Sequence, residues 1–185
     1  INKYNTSGTT TINIISTETL TIDATKTLIN ASGVTLINAG IIINKGALTT
    51  TGTFTNNGLV LDKSSNDFIF NTTDGTTSQT LNKNLTIDLS ETLTIASGQT
   101  LTINTDVTLE VASGGTLTNV GIIIKIGIFA QNGTLINTNG LVLDKATNDF
   151  TFNSDGGNSQ TLNNDFIIDT SETLTIGSTQ ELIIA

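Results

Sequence analysis

A long internal repeat constrains the fold of this chain more than any other sequence feature. The string Leu-Val-Leu-Asp-Lys at 59–63 returns at 141–145, a shift of 82 residues, and Ser-Gln-Thr-Leu-Asn at 78–82 returns at 159–163, a shift of 81. Such self-similarity predicts stacked copies of one structural unit. We place the copies at about 17–89 and 90–170, with a partial third copy at 171–185, in one continuous domain over residues 1–185.

A shorter period inside the repeat indicates β-strands. Leu93, Leu101, Leu109 and Leu117 are spaced by eight residues, and each lies in a run where polar and apolar residues alternate, such as Thr-Leu-Thr-Ile at 92–95. Alternation with period two is typical of a strand with one buried face. The apolar residues are mostly Ile, Leu and Val, whose branching favours strands.

Glycines punctuate these runs at intervals of six residues. They often follow Asn, which tolerates the left-handed conformation of tight turns, so we interpret them as turn residues. The two series are Gly40, Gly46, Gly52, Gly58 and Gly115, Gly121, Gly127, Gly133.

Strand steps of six to eight residues predict an all-β fold, a parallel β-helix (β-solenoid) with two tandem repeats. Three such sides give a coil of roughly 18 to 24 residues. The alternative is a repeated antiparallel β-sandwich, with hairpin turns at 56–58 and 139–140. We favour the solenoid because the steps are shorter and more regular than sandwich strands allow.

Composition removes most catalytic and binding chemistries. The chain has no Cys, His, Met, Trp, Pro or Arg, and its 16 acidic against seven basic residues give a net charge of −9. Disulfides, imidazole chemistry and bidentate phosphate clamps are therefore excluded, and nucleic acid is not an expected partner. No apolar run is long enough to cross a bilayer, so we expect no membrane insertion.

Repeated carboxylates are the best candidates for chemistry, and we interpret them as turn formers. Asp62 and Asp67, repeated as Asp144 and Asp149, could act as a glycosidase pair, but no aromatic sugar platform or Arg accompanies them. The same aspartates, with Asp-Gly at 74–75 and 155–156, could bind calcium, but the spacing of calcium-binding nonapeptide repeats is absent. We expect no enzyme activity, no catalytic residues, no metal and no cofactor.

Outward-facing threonines permit a minor alternative, an ice-binding protein. Runs such as Thr-Leu-Thr-Ile at 19–22 place Thr-x-Thr pairs on the outer surface, and ranks of such pairs resemble the surface of solenoid antifreeze proteins. Thr is also an ordinary outward strand residue. The pairs are scattered among charged residues, namely Lys26, Asp88, Glu91 and Glu110.

Some strands are apolar on both faces and need a cover on their outer side. A neighbouring chain or a segment of the same chain could supply it, and we favour a neighbouring chain. These runs lie at 41–43, 59–61, 122–124, 141–143 and 166–168.

The solenoid ends are the predicted assembly interface. We expect the chain to associate with itself head to tail, because an uncapped solenoid end presents unpaired strand edges and a section of apolar core. The predicted contacts are Ile12 and Ile14 at one end and Leu182, Ile183 and Ile184 at the other.

Five asparagines lie in N-glycosylation sequons, so covalent glycans are a predicted modification. They are Asn5, Asn30, Asn71, Asn84 and Asn132. The structural alternative is an Asn ladder, in which amides at equivalent positions of successive coils hydrogen-bond to each other.

The string Glu-Thr-Leu-Thr-Ile-Ala-Ser-Gly-Gln-Thr-Leu-Thr-Ile-Asn at 91–104 and Gly-Thr-Leu-Thr-Asn-Val-Gly at 115–121 resemble the repeats of secreted parallel β-helix adhesins and surface-fibre proteins of bacteria and archaea. The resemblance covers almost the whole chain. It implies an extracellular or cell-surface structural subunit of a filament, or alternatively the stalk of an adhesin that binds glycans or a host surface. Lyases of this shape usually depend on Arg, which this sequence lacks.

Overall fold

The computed structural model describes residues 11–73 and 75–185 and contains 23 short strands in three groups, which we call stacks. Stack 1 comprises β1 (Thr11–Ile14), β2 (Thr19–Ile22), β3 (Thr27–Asn30), β4 (Thr35–Asn38), β5 (Ile41–Asn44), β6 (Ala47–Thr50), β7 (Thr53–Asn56) and β8 (Leu59–Ser64).

Stack 2 comprises β9 (Asp67–Phe70), β10 (Ser78–Leu81), β11 (Leu85–Ile87), β12 (Thr92–Ile95), β13 (Thr100–Ile103), β14 (Thr108–Val111), β15 (Thr116–Asn119), β16 (Ile122–Lys125), β17 (Ile128–Gln131), β18 (Thr134–Ile136) and β19 (Leu141–Ala146). Stack 3 comprises β20 (Asp149–Phe152), β21 (Ser159–Leu162), β22 (Thr173–Thr175) and β23 (Glu181–Ile184). The one helical segment in the described part of the chain is a 3₁₀ turn at Ser154–Gly156.

Within each stack the strands coil as a parallel β-solenoid of about eight turns in all, which confirms the predicted fold class. In each parallel pair, one strand lies one coil further along the chain than the other. The spacing ranges from 18 residues, where Ile41 pairs with Leu59, to 25 residues, where Asp67 pairs with Thr92. In the described residues only β8–β9 and β19–β20 pair antiparallel. The predicted sandwich alternative is therefore wrong.

Alternation places the aliphatic residues inside the coils. In β12 and β13 the inward Leu93, Ile95, Leu101 and Ile103 are fully buried, whereas the intervening threonines are partly exposed. Burial of one such side chain contributes roughly 1.5 to 3 kcal/mol. Aligned columns of aliphatic side chains thus hold successive coils together.

Consecutive stacks lie on opposite faces of a shared sheet. In β8, Val60 packs into the core of stack 1, whereas Leu59 and Leu61 pack into the core of stack 2. The chain also reverses direction between β8 and β9. Reversing the strand and moving the core to the other face together amount to a half-turn about the stacking direction. A rotation does not change handedness, so the coils of consecutive stacks have the same hand, in agreement with the strong handedness preference of parallel crossovers.

The same chain covers most of the strands that are apolar on both faces, so our preference for a neighbouring chain is wrong there. Ile41 and Leu59 are buried in the core of stack 2. In β19 the pattern repeats, with Val142 in stack 2 and Leu141 and Leu143 in stack 3. At 166–168 the outcome differs, because 76% of Ile167 is exposed.

Glycines of the six-residue series are required by close approach and not by a left-handed backbone. None of the eight has a positive φ. A Cβ on Gly46 would lie 2.2 Å from the Lys26 carbonyl oxygen, and a Cβ on Gly127 would lie 2.2 Å from that of Asn104. These glycines let one coil corner pass directly over the carbonyls of the corner below.

Candidate functional site at the joints between stacks

The two places where stacks meet, β8–β9 and β19–β20, are the most distinctive polar sites of the chain, and we call them joint 1 and joint 2. Each is a two-residue hairpin, Ser65-Asn66 in joint 1 and Thr147-Asn148 in joint 2. Ser65 and Thr147 both have φ of 53°, a left-handed conformation that is strained for any residue with a Cβ. The motifs that define the sequence repeat are thus the parts of a joint.

A buried glutamine fills the gap where each hairpin opens. Gln79 is 2% exposed, and its Oε1 accepts a hydrogen bond from the Val60 amide at 2.7 Å. Its Nε2 donates to the Asn71 carbonyl at 2.9 Å. Gln160 repeats this at joint 2 with Val142 at 2.6 Å and Asn153 at 3.1 Å. Buried backbone groups at the end of the hairpin are thereby satisfied.

A carboxylate follows the apolar run of each joint strand and gathers amide donors. At joint 1, Asp62 accepts from Asn44 Nδ2 at 2.7 Å and from Asn71 Nδ2 at 2.8 and 2.9 Å. At joint 2 the equivalent Asp144 accepts from Asn153 and forms an ion pair with Lys125 at 2.6 Å. Asp62 and Asp144, two of the four aspartates that we considered as catalytic candidates, therefore have structural partners.

Each joint also contains an ion pair between a lysine and a glutamate. Lys63 bonds to Glu91 and lies 4.2 Å from the centre of the Phe68 ring. At joint 2, Lys145 bonds to Glu172 at 2.7 Å and lies 4.5 Å from the centre of the Phe150 ring.

The surroundings of Glu172 lower its pKa below the usual glutamate value. The main cause is the hydrogen bond from Lys145, followed by the hydrogen bond from the backbone amide of Asp169. Both favour the ionised carboxylate. The pair at joint 2 therefore stays charged below the pH at which an ordinary glutamate is protonated.

Joint 1 carries a groove of about 880 Å³ whose polar lining differs from that of joint 2. Most of the residues that build the two joints are the same, but several groove positions change. From joint 1 to joint 2 the replacements are Asn44 to Lys125, Lys45 to Ile126, Ser64 to Ala146 and Ile69 to Thr151. Asp67 lines the groove, and its counterpart Asp149 accepts a hydrogen bond from the Thr173 hydroxyl.

Sequence reasoning missed the glutamines and the Lys–Glu–Phe clusters as functional parts. Their signal was the repeat itself, because Gln79 and Glu91 recur at 160 and 172, each shifted by 81. We noted the recurrence but assigned these residues no role. Only the pairing of β8 with β9 shows that residues so far apart in sequence meet.

The predicted assembly residues occupy different environments. Ile14 is buried in the core of stack 1, and Ile12 is half-buried against it. At the other end, Leu182 packs against the core of stack 3, whereas Ile183 is 44% and Ile184 77% exposed. Of the five, Ile183 and Ile184 most clearly offer side chains for a contact.

The sequons also divide by environment. Asn30 and Asn71 are buried, and their Nδ2 atoms donate to the Thr53 carbonyl and to Asp62. Asn84 and Asn132 are exposed, so a glycan on either would project into solvent. Asn5 lies outside the described residues.

Amide ladders, the alternative for the asparagines, are present. Asn38 Nδ2 donates to Asn56 Oδ1 at 2.8 Å, and Asn119 Nδ2 donates to Asn137 Oδ1 at 2.8 Å. These pairs connect successive coils inside a corner. None of the sequon asparagines takes part in these two pairs, and Asn30, Asn71 and Asn132 donate instead to Thr53, Asp62 and Glu110.

Paired threonines form a short rank on β12 and β15. Thr92 pairs with Thr116 and Thr94 with Thr118. The Thr94 column stops on both sides, at Ile69 of β9 and at Ile136 of β18, whereas the Thr92 column continues to Thr134 of β18 and stops at Asp67 of β9. Ice binding stays an untested prediction.

The described residues contain no cluster of three metal-ligating side chains and no helix long and apolar enough to cross a membrane. Comparison with models of known protein families, with curated proteins and with solved structures finds no match to this chain. Any assignment of function therefore rests on the joints and the surface.

Proposed function

We propose that this chain is a structural subunit of an extracellular filament or cell-surface fibre that assembles end to end. The observation that carries the proposal is that one joint is built twice, from equivalent residues 81 or 82 positions apart. Each stack offers the next one a strand edge and an apolar face, so the same joint can extend the object repeatedly. Extension by repetition is the property that a fibre requires.

The edge of β23 supports contact between chains. β23 is the outer strand of its two-stranded sheet, and its Ile183 and Ile184 are exposed. A strand edge that carries exposed apolar side chains pairs readily with another strand. We propose that Leu182, Ile183 and Ile184 of one copy contact the strand around Ile12 and Ile14 of the next.

Electron microscopy with negative stain, together with sedimentation in dilute solution, tests the proposal. We expect threads from the wild type and from Leu89→Lys, a control at a residue that is 72% exposed in a turn away from β23. The double variant Ile183→Lys, Ile184→Lys should give short particles of monomer mass. Monomeric wild-type protein at all concentrations would overturn the proposal.

The groove at joint 1 favours a second candidate, the adhesin stalk that binds glycans. Lys45, Ser64 and Asp67 place an ammonium, a hydroxyl and a carboxylate around exposed Ile69, a mixture suited to a polyhydroxylated ligand. A glycan array tests it, with the variant Lys45→Ile, Ser64→Ala as control because it copies joint 2. Equal binding by variant and wild type would count against this candidate.

A further inference from the structure

The chain contains three Asn-Gly steps, at 57–58, 132–133 and 139–140, and their glycine amides differ. The Gly58 amide donates to Asn56 Oδ1 at 3.2 Å, and the Gly133 amide donates to the Val111 carbonyl at 2.7 Å. The Gly140 amide has no acceptor among the residues that the structure describes.

One inserted residue explains the difference. The corner before β8 runs Asn56-Asn57-Gly58, and the corner before β19 runs Asn137-Thr138-Asn139-Gly140. In the shorter corner the ladder asparagine caps the glycine two residues later, as Asx turns do. In the longer corner Asn137 is three residues from Gly140, and among the described residues its Oδ1 accepts only from Asn119. The insertion is also the step that changes the repeat shift from 81 to 82.

We propose that Asn139 is a site of spontaneous deamidation through the free amide of Gly140. The Gly140 nitrogen attacks Asn139 Cγ, its proton leaves to solvent, and the Cγ–Nδ2 bond breaks with release of ammonia. The resulting succinimide is opened by water to aspartate or isoaspartate. Asn139 is exposed, so water reaches the ring, and Gly140 has no Cβ to obstruct closure.

Deamidation of Asn139 alters the contact between stacks 2 and 3. The Asn139 carbonyl accepts from Asn163 Nδ2, and the Gly140 carbonyl accepts from the Thr161 amide at 3.2 Å. In isoaspartate the backbone runs through Cβ and Cγ of residue 139, so the former Asn139 carbonyl becomes a free carboxylate and Gly140 is displaced by one extra backbone carbon. We therefore expect joint 2 to loosen as the protein ages, whether or not the chain forms fibres.

Mass spectrometry of the full chain, incubated at mildly alkaline pH, tests the proposal. Trypsin cleavage after Lys125 and Lys145 gives one peptide with Asn132 and Asn139, which fragmentation resolves, and cleavage after Lys45 and Lys63 isolates Asn57. We expect conversion at Asn139 to be several-fold faster than at Asn57 and Asn132. Equal or faster conversion at either of those would overturn the proposal.

Two further measurements test whether the free amide of Gly140 is the cause of deamidation at Asn139. Amide hydrogen exchange should be faster at Gly140 than at Gly58, because only the latter is capped. Deletion of Thr138 restores the shorter corner and should slow conversion of Asn139 to the rate at Asn57. Slow exchange at Gly140, or unchanged conversion after the deletion in a folded protein, would contradict the mechanism.

Discussion

The side chain of Gln79 completes the backbone pairing of Val60, a residue on the strand where the solenoid changes stacks. β9 ends opposite Leu61, and the Asn71 amide makes the last backbone bond to the Val60 carbonyl. Beyond that point Gln79 joins the Val60 amide to the Asn71 carbonyl. The Gln79 side chain therefore makes the two hydrogen bonds that a further strand residue would make, at the place where the cores of stacks 1 and 2 meet.

Replacing this glutamine should destabilise the protein strongly. In Gln79→Leu the buried Val60 amide and Asn71 carbonyl lose their partners, at about 2 to 5 kcal/mol for the two groups together. Urea denaturation measures the free energy of unfolding. Gln131→Leu, at an exposed position of β17, is the control and should change it little. A loss of similar size in both variants would argue against the bridging role.

Leu61 tests whether the outer face of β8 is covered by the same chain. Leu61 is fully buried in the core of stack 2, so Leu61→Ala should cost about 2 to 5 kcal/mol in dilute, monomeric protein. Ile69→Ala, at a residue that is 52% exposed on the neighbouring strand, should cost much less. If Leu61→Ala mattered only at concentrations where chains associate, the cover would come from another copy.

The solenoid could be predicted from the sequence because period-two alternation and coil length are local properties. Thr92 to Ile95 and their counterparts one coil later show both at once. The change of stack could not be predicted, because Leu59-Val60-Leu61 indicates two covered faces without saying what covers them. That information lies in the hairpin after Ser64, whose turn residues Ser65 and Asn66 carry no glycine signal.

The candidate sites were only partly visible for a similar reason. The recurrence of Asp62 and Gln79 was evident, but their roles depend on contacts with Asn71 and Val60 across the hairpin. The glycine series was recognised but assigned the wrong physical cause. A glycine required by close approach to a carbonyl looks the same in the sequence as a glycine required by a turn.

Close approach at the corners makes a strong prediction for Gly127. In Gly127→Ala the new methyl would lie 2.2 Å from the Asn104 carbonyl oxygen and 2.4 Å from that of Val107, so the corner must shift. We expect a loss of about 1 to 3 kcal/mol, the usual cost of overpacking. Gly177→Ala is the matched control, because only the Gln180 side chain lies near its Cβ. Equal thermal unfolding of the two variants would refute this reason for the glycine.

The strained hairpins predict that glycine will stabilise both joints. Ser65→Gly and Thr147→Gly remove the Cβ at a φ of 53°, and each should gain about 0.4 to 1 kcal/mol through relieved strain. Ser113→Gly, at a turn residue that itself has no positive φ, should be neutral or slightly destabilising because the unfolded chain becomes more flexible. Calorimetric unfolding compares the three, and destabilisation by Ser65→Gly would show that its side chain has a positive role.

The lowered pKa of Glu172 predicts how joint 2 responds to acid. A carboxyl group whose pKa is lower in the folded than in the unfolded state stabilises the fold fully above its unfolded pKa of about 4.3. That contribution is lost as the pH falls through the folded pKa. Glu172→Gln should therefore differ most from wild type near neutral pH, and the difference should shrink in acid. Lys145→Met should behave alike, because Lys145 is the main cause of the shift.

Lys83→Met is the control for this pH series, since Lys83 bonds to the Thr19 hydroxyl and to no carboxylate in the part of the chain that the structure describes. Its stability relative to wild type should not depend on acid in the same way. Urea denaturation from neutral to acid pH measures all four proteins. If the difference between Glu172→Gln and wild type stayed constant throughout, the carboxylate would act through packing alone. The stability of joint 2 would then come from Gln160 and the apolar faces of β19, which do not titrate.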